Sequence, residues 1–257
     1  MPTDLRRPGP AQRELLITVM NQARYFMPHI LALSSSSPFW MGHNTGLKSY
    51  RTIVFRSMPR TGLPMEFGAW SEYESFVRTL GNIGALPLDE QGQVDRTRIW
   101  WDMRPHPRYN TLEFRICDMV TTLNEAICIA AILQALVAKL IKLRDQNVMW
   151  RIYRRDLIRE NKWRAVRYGV KGDLIDFGKE AQVPFAELIE ELLEFLDDVV
   201  DELGSREAVE YARVIAREGS SADRQLAVYD TQLAAGASVQ EALIAVVDHL
   251  VEETRSG

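Results

Sequence analysis

The 257 residues carry 31 Lys and Arg against 35 Asp and Glu, a formal net charge of −4, with 46% hydrophobic and 26% charged residues. That balance gives an ordinary globular chain with material for a substantial core, and it argues against a general nucleic-acid binder, which carries a basic excess. Two cysteines, Cys117 and Cys128, make neither a disulfide framework nor a metal-ligand spacing. No apolar run approaches the length of a bilayer span: the closest, Ala126 to Leu143, is interrupted by Gln134, Lys139 and Lys142. Nothing at the N-terminus reads as a signal peptide, so a reducing cytoplasm is the expected setting.

In chain order, proline-rich residues 1–10 read as a flexible arm, and Ala11 to Leu33 as a helix bent or broken near Pro28. Ser34-Ser35-Ser36-Ser37-Pro38 signals a loop, and a short β-like run falls at Thr52–Phe55. Trp70 to Leu80 suits a helix with Ser71 as N-cap and Glu74 in the capping-box position. A turn region at Pro87–Asp95 precedes two strands. From Thr121 onward helices dominate: one capped by Thr122 or Asn124 and running to about Arg144, and a second over Val148–Tyr168. A glycine-containing loop follows, and then Pro184–Leu203, whose apolar stripe explains its many acidic residues as a solvated face rather than a metal site. Shorter helices follow at about Ser205–Arg217, Ser221–Ala235 and Ser238–Glu253. Strands then helices, without βαβ alternation, predict an α+β fold: part of an antiparallel sheet backed by a largely helical C-terminal half.

The two strands hold the chemistry. In Leu112-Glu113-Phe114-Arg115-Ile116 the apolar residues alternate with an acid and an arginine, which therefore share one face. Asp102 and Arg104 share a face by the same rule, and Pro105 and Pro107 bracket the turn that follows. Read from the residues alone, Glu113 and Arg115 serve either as a cross-strand salt bridge on a wet face or as a metal ligand beside an anion-binding arginine. Arg104 either pairs with Asp102 or contacts a phosphate or substrate. The loop Thr45–Arg51 is either a solvated basic loop or an anion-binding one, with Arg56 a further candidate. The Val148–Tyr168 segment carries Arg151, Arg154, Arg155, Arg159, Lys162, Arg164 and Arg167 against Asp156 and Glu160. This pattern reads as a solvated basic face or, with Trp163 and Tyr168, as a nucleic-acid surface. Arg164 and Arg167, three apart, project from one side of the helix, with Asn161 on that same side. The four histidines are scattered and suggest no zinc site.

Trp100-Trp101-Asp102-Met103-Arg104-Pro105-His106-Pro107-Arg108-Tyr109-Asn110-Thr111-Leu112-Glu113-Phe114-Arg115-Ile116-Cys117-Asp118 resembles the signature of carboxylate–amine ligases related to type 2 glutamate–cysteine ligase. The resemblance extends through Thr45–Arg51, Pro59–Pro64, Glu160–Gly169, Ser220–Gln225 and Val247–Thr254, and so over nearly the whole chain from about Gln12. It implies the glutamine-synthetase type of active-site sheet, ATP and Mg2+ as cofactors, and small-molecule substrates, an amino acid and ATP. No nucleic acid or membrane is implied as a partner. Glu113 is implied as the metal ligand, Arg115 and Arg104 as catalytic, and Tyr50, Arg51, Asn161, Arg164 and Arg167 as contacts to substrate or nucleotide. Ser221, Asp223 and Gln225 would cap a helix bordering the nucleotide.

Family members begin with a further portion holding a Gly-x-Glu-x-Glu strand and a His-Val-His-Val-Gly strand, and neither occurs in this sequence. Residues 11–257 are therefore expected to form the C-terminal portion of one catalytic domain. Its sheet would be completed by another copy or a partner, or the chain would be inactive by itself. Asp102 or Asp118 would then have to stand in for the absent carboxylates. The alternative is a non-catalytic remnant that binds nucleotide or recruits a partner through an open sheet edge.

Overall fold

The computed structural model describes residues 9–106, 109 and 111–256. Most of the expected arm and Pro107 lie outside that range. Pro10 already stands at the first position of helix α1 (Pro10–Ala23), where a missing N–H costs nothing. The break expected near Pro28 is a 3₁₀ turn, Arg24–Phe26, before α2 (Met27–Leu33). A proline ring crowds the carbonyl four residues earlier, here Arg24, and the helix tightens there.

After the serine loop come β1 (Phe39–Trp40) and β2 (His43–Asn44), an antiparallel pair, and then α3 (Tyr50–Arg56). This helix corrects the strand expected at Thr52–Phe55. Ser37, remote in sequence, accepts the N–H of Tyr50 through its carbonyl (2.8 Å) and that of Arg51 through its hydroxyl (3.0 Å), so tertiary capping overrides β-branched propensity. Strand β3 (Thr61–Gly62) leads to α4 (Trp70–Asn82), which is also capped from afar. Glu14 of α1 accepts the Trp70 N–H at 3.0 Å, while Ser71 provides no cap.

Strands β4 (Trp100–Trp101), β5 (Met103–Pro105) and β6 (Leu112–Phe114) carry the signature. β3 pairs parallel with β4, a departure from the antiparallel expectation, and β5 pairs antiparallel with β6 in the register Arg104↔Glu113. The N–H of Asp102 donates to Gly62 O (2.8 Å) while its carbonyl accepts from Arg115 N–H (2.7 Å). Asp102 thus joins the two pairs at a bend, and among the described residues β4 and β5 each pair with one strand.

Helix α5 (Leu123–Asp145) begins with a capping box between Thr122 and Glu125. At 23 residues it is long and apolar enough to cross a membrane, which corrects the reading of a shorter interrupted run. Cys128, Ile132, Ala135, Leu136 and Leu140 are buried, and the helix packs against α1 and the later α7 (Phe185–Val200), α8 (Arg206–Glu210) and α9 (Ala212–Glu218), as a core helix does.

Helix α6 (Arg155–Tyr168) starts seven residues later than expected. Residues 148–154 are held extended, with Trp150 N–H on Gln22 Oε1 (2.6 Å) and Tyr153 O on Arg24 (3.2 Å). The rings of Trp150 and Tyr153 join Tyr25, Phe26, Phe177 and Phe195 in an aromatic cluster. The expected glycine loop contains a hairpin, β7 (Asp173–Asp176) and β8 (Ala181–Pro184), whose turn is fixed by Asp176 accepting the N–H groups of Gly178 and Lys179. In α7 the apolar stripe is buried and the acidic face is outside, as expected. Helices α10 (Ser221–Ala234) and α11 (Val239–Ser256) form a hairpin around a small core of Tyr229, Ala242 and Val246. The cap of α10 is Ser220, reciprocated by Asp223, rather than Ser221.

Candidate active site

Pleating puts Asp102 and Arg104 on one face of their strand, and the Arg104↔Glu113 register brings Glu113 and Arg115 beside them. The apolar alternates Leu112, Phe114 and Ile116 pack toward the core. Glu113 sits between two guanidinium groups: Arg104 Nε donates to Oε2 at 2.9 Å and Arg115 Nη1 to Oε1 at 2.6 Å. Burial opposes ionisation of Glu113, but the hydrogen bonds from Arg115 and Arg104 outweigh it and hold the carboxyl below its ordinary pKa. The cross-strand ion pair is therefore present, and it is part of a three-membered set.

Arg104 does not pair with Asp102. It is buried, and its Nη1 donates to the carbonyls of Thr97 (2.7 Å) and Ile99, which spends that end of the guanidinium on the loop before β4. Asp102 instead takes Lys162 of α6, whose ammonium donates to both carboxylate oxygens at 2.8 and 2.7 Å. Arg115 is less committed, with a buried Nε that has no hydrogen-bond partner.

Arg51 reaches this region without presenting a free fork. Its Nη2 donates to Arg115 O (3.0 Å), its Nη1 lies 3.4 Å from Ile116 O, and its guanidinium covers the Phe55 ring at 4.3 Å. It clamps the end of β6 to α3. Tyr50 stacks on Trp40 (5.5 Å) and lines neither cleft beside the strands. Asp118 accepts from Ser36 N–H (3.0 Å), Ser37 Oγ (2.6 Å) and Ser49 Oγ (2.8 Å). Its pKa is raised by burial, only partly offset by those donors, which tie it to the serine loop.

A cleft of about 490 Å³ opens between α3, β3 and α6, lined by Arg56, Gly62, Leu63, Arg155, Arg159, Lys162 and Trp163 among others. A narrower space shares Thr52, Arg56, Thr61, Gly62 and Lys162 with it and reaches Arg51, Asp102 and Arg115. Gly62 stands where the two meet with φ +87°, a conformation that a side chain would strain.

The expected contacts from α6 lie elsewhere. Asn161 is buried, with Nδ2 donating to Ile175 O (2.8 Å) and Oδ1 accepting Ile175 N–H (2.7 Å), and it straps β7 to α6. Arg164 donates to Gln182 Oε1 (3.0 Å) and faces a separate shallow cleft with Tyr168 and Lys171. Arg167 rests beside Tyr168, and a Cβ on Gly46 would come within 3.2 Å of its Nη1. The residues of α6 that line the cleft are Arg155, Arg159 and Lys162, at i, i+4 and i+7, a spacing present in the sequence, and Lys162 also reaches the strand face. Among the described residues no group of three or more His, Cys, Asp or Glu is arranged to hold a metal. The strand face offers one carboxylate, Glu113, not tied to a lysine. Both of its oxygens accept from guanidinium groups, as both oxygens of Asp102 accept from Lys162.

Fold and site together define an α+β protein that holds an acid between two arginines, of which Arg115 lines the narrower space beside a cation-lined cleft. Residues 10–249 match the model of glutamate-cysteine ligase family 2, and the chain belongs to that family. Proteins with the provisional name glutamate–cysteine ligase 2 from Solibacter usitatus and Chloroflexus aurantiacus are 50% and 49% identical to it over 249 residues, 97% of this chain. The chain spans only 61% and 60% of their respective lengths. A crystal structure of glutamate–cysteine ligase from Francisella tularensis in complex with AMP has the same fold at a TM-score of 0.58, with 12% identity over 94% of this chain and 58% of that one.

Proposed function

We propose that residues 11–257 form the C-terminal portion of the catalytic domain of an ATP-dependent carboxylate–amine ligase joining L-glutamate to L-cysteine, with γ-glutamylcysteine, ADP and phosphate as products. The observation that carries the reading is Glu113 held between Arg104 and Arg115, of which Arg115 lines the narrower space beside the cation-lined cleft. The family, the names of the relatives and the AMP complex of the Francisella enzyme support the substrate class. Two free cysteines suit a reducing cytoplasm.

In this reaction a γ-carboxylate oxygen of glutamate attacks the terminal phosphorus of ATP and ADP leaves. The amine nitrogen then attacks the acyl carbon, the bond to phosphate breaks, and the amine's proton passes to solvent. Arg115, with an unspent donor, stabilises charge on the transferring phosphoryl group. Arg104 is a positioning residue that fixes Glu113. Glu113 would hold magnesium, which neutralises charge on the phosphates when bound.

A second reading rests on β4 and β5, each paired with one strand among the described residues: a subunit whose sheet is completed by strands of another polypeptide or a second copy. Both readings meet one experiment, in which the matching 249 residues of the Solibacter relative are replaced by this chain and ADP release is followed beside the parent. Release that needs both glutamate and cysteine supports the ligase. A folded chimera that is silent beside an active parent refutes it and leaves the binding subunit.

A further inference from the structure

Helix α5 buries one face against its own chain and leaves the opposite face without a cover. Between Leu123 and Ile141 it has two charged residues, Glu125 and Lys139, and both turn toward the body of the protein. Glu125 is 1% exposed and lies 2.8 Å from Arg224, while Lys139 reaches Asp198 (2.6 Å) and the Phe195 ring. The outer face is therefore free of charge along about 27 Å of helix. It is also open: Leu123 is 59% and Ile127 46% exposed, Ala130 and Gln134 are exposed, and Val137 and Ile141 are half-buried. A helix at the surface of a soluble protein ordinarily turns charged residues outward, and a contiguous apolar face marks a place of contact.

The spacing of that face says what fits it. Leu123, Ile127, Ala130, Gln134, Val137 and Ile141 alternate steps of four and three residues, the seam of a two-stranded helical pair. The series reads the same in reverse, so a second α5 running the other way meets it layer by layer. Leu123 then faces Ile141 of the copy, Ile127 faces Val137, and the small Ala130 faces the longer Gln134. Asn124, Ala126, Ala131, Leu133 and Ala138, which flank the seam, are uncharged, so no like charges oppose the approach. The same register brings Arg144, 42% exposed, level with the Val120–Thr121 end of the copy, where Thr121 holds the Glu253 carboxylate. Antiparallel pairing also sets the two helix dipoles head to tail.

We propose that α5 is the interface of a homodimer, pairing antiparallel with α5 of a second copy through Leu123, Ile127, Val137 and Ile141. The contact is separate from the paired strands β4 and β5, and it does not rest on the ligase reading.

The test is sedimentation equilibrium of the full chain across about 1–200 μM, a range suited to one helix pair, at the small end of stable interfaces. The wild type should pass from monomer to dimer over that range. I127E and V137K each put an unpaired charge into an apolar layer and should weaken the dimer about 10-fold or more. I127E/V137K sets an acid against a lysine in two layers and should restore association. I244E, on the exposed face of α11, should leave it unchanged. Ile127 is nearly half exposed, so I127E reports on the face even where V137K fails to fold, with circular dichroism checking each variant. A wild type that stays monomeric, or a dimer that I127E leaves intact, would overturn the proposal. A folded double variant that stays monomeric would refute the antiparallel register. A monomeric wild type that pellets with phosphatidylglycerol vesicles, and loses them in I127E, would give the face to a membrane instead.

Discussion

Glu113→Gln keeps the shape of the side chain and removes the charge held between Arg104 and Arg115. Each guanidinium exchanges a charge-assisted hydrogen bond, 2.9 Å from Arg104 and 2.6 Å from Arg115, for a neutral one or none. Two such losses would cost about 3 kcal/mol or more in a dry interior. The side chain is 27% exposed and Arg104 keeps its carbonyl acceptors, so solvent screening reduces the expected cost to about 1–2 kcal/mol. For a chain of this size that lowers the Tm by about 2–8 °C. The pH dependence has a definite sign. The Glu113 pKa is depressed in the folded state, so its contribution is complete above the unfolded-state value of about 4.5 and is lost as pH falls through the lower folded value. Urea unfolding followed by tryptophan fluorescence from pH 7 to pH 3.5 should show a gap between wild type and variant that narrows below pH 4.5. A gap constant across that range, or a variant as stable as wild type at pH 7, would refute the idea that the ionised carboxylate ties the two arginines together.

Asp102→Asn should cost about 3 kcal/mol in urea unfolding, because Lys162 and Asp102 are each only about one-tenth exposed and the ammonium would lose both acceptors at once. Asn161→Ala should destabilise by about 2–3 kcal/mol by stripping both backbone groups of Ile175, yet leave nucleotide affinity unchanged at a temperature where the variant is folded. A selective loss of affinity would restore Asn161 to the site. Burial pushes the Cys117 thiol up to about 11 and the Cys128 thiol up to about 12, so neither should be alkylated by iodoacetamide at pH 8 in the native protein. Mass spectrometry should find both modified only in denaturant, and rapid native labelling of the buried Cys128 or the half-buried Cys117 would contradict this.

What was legible in the sequence was whatever short-range pattern decides. The alternation of Leu112, Phe114 and Ile116 with Glu113 and Arg115 gave the strand and its charged face, Thr122 and Glu125 gave the start of α5, and the leucine stripe gave α7. Elements settled by partners far along the chain were not legible. Ser37 makes a helix of Thr52–Phe55, and Gln22 with Arg24 keeps residues 148–154 extended. In the site, the acid–arginine set was visible, but its pairing was not. Asp102 answers to Lys162, sixty residues on, and no local rule prefers that lysine to Arg104. Asn161 looked like a ligand contact because it is polar within a motif, whereas its amide closes the hydrogen bonds of a hairpin that had been read as loop.

We propose that the strand face around Glu113 and Arg115 carries phosphoryl transfer to glutamate. By itself the 257-residue chain should release little glutamate-dependent ADP, since Asp102 is engaged by Lys162, Asp118 by the serine loop and Glu113 by two arginines, and no cluster of three or more metal-ligating side chains stands among the described residues. The most direct measurement is therefore made in the Solibacter chimera, as ADP release with magnesium, ATP, glutamate and cysteine, comparing the intact chimera with its Arg115→Gln form and checking both for folding by circular dichroism. The account predicts turnover that depends on glutamate and falls at least 100-fold in the Arg115 variant, in line with the loss of one transition-state donor. Turnover that survives Arg115→Gln unchanged would contradict it and place the chemistry on another surface.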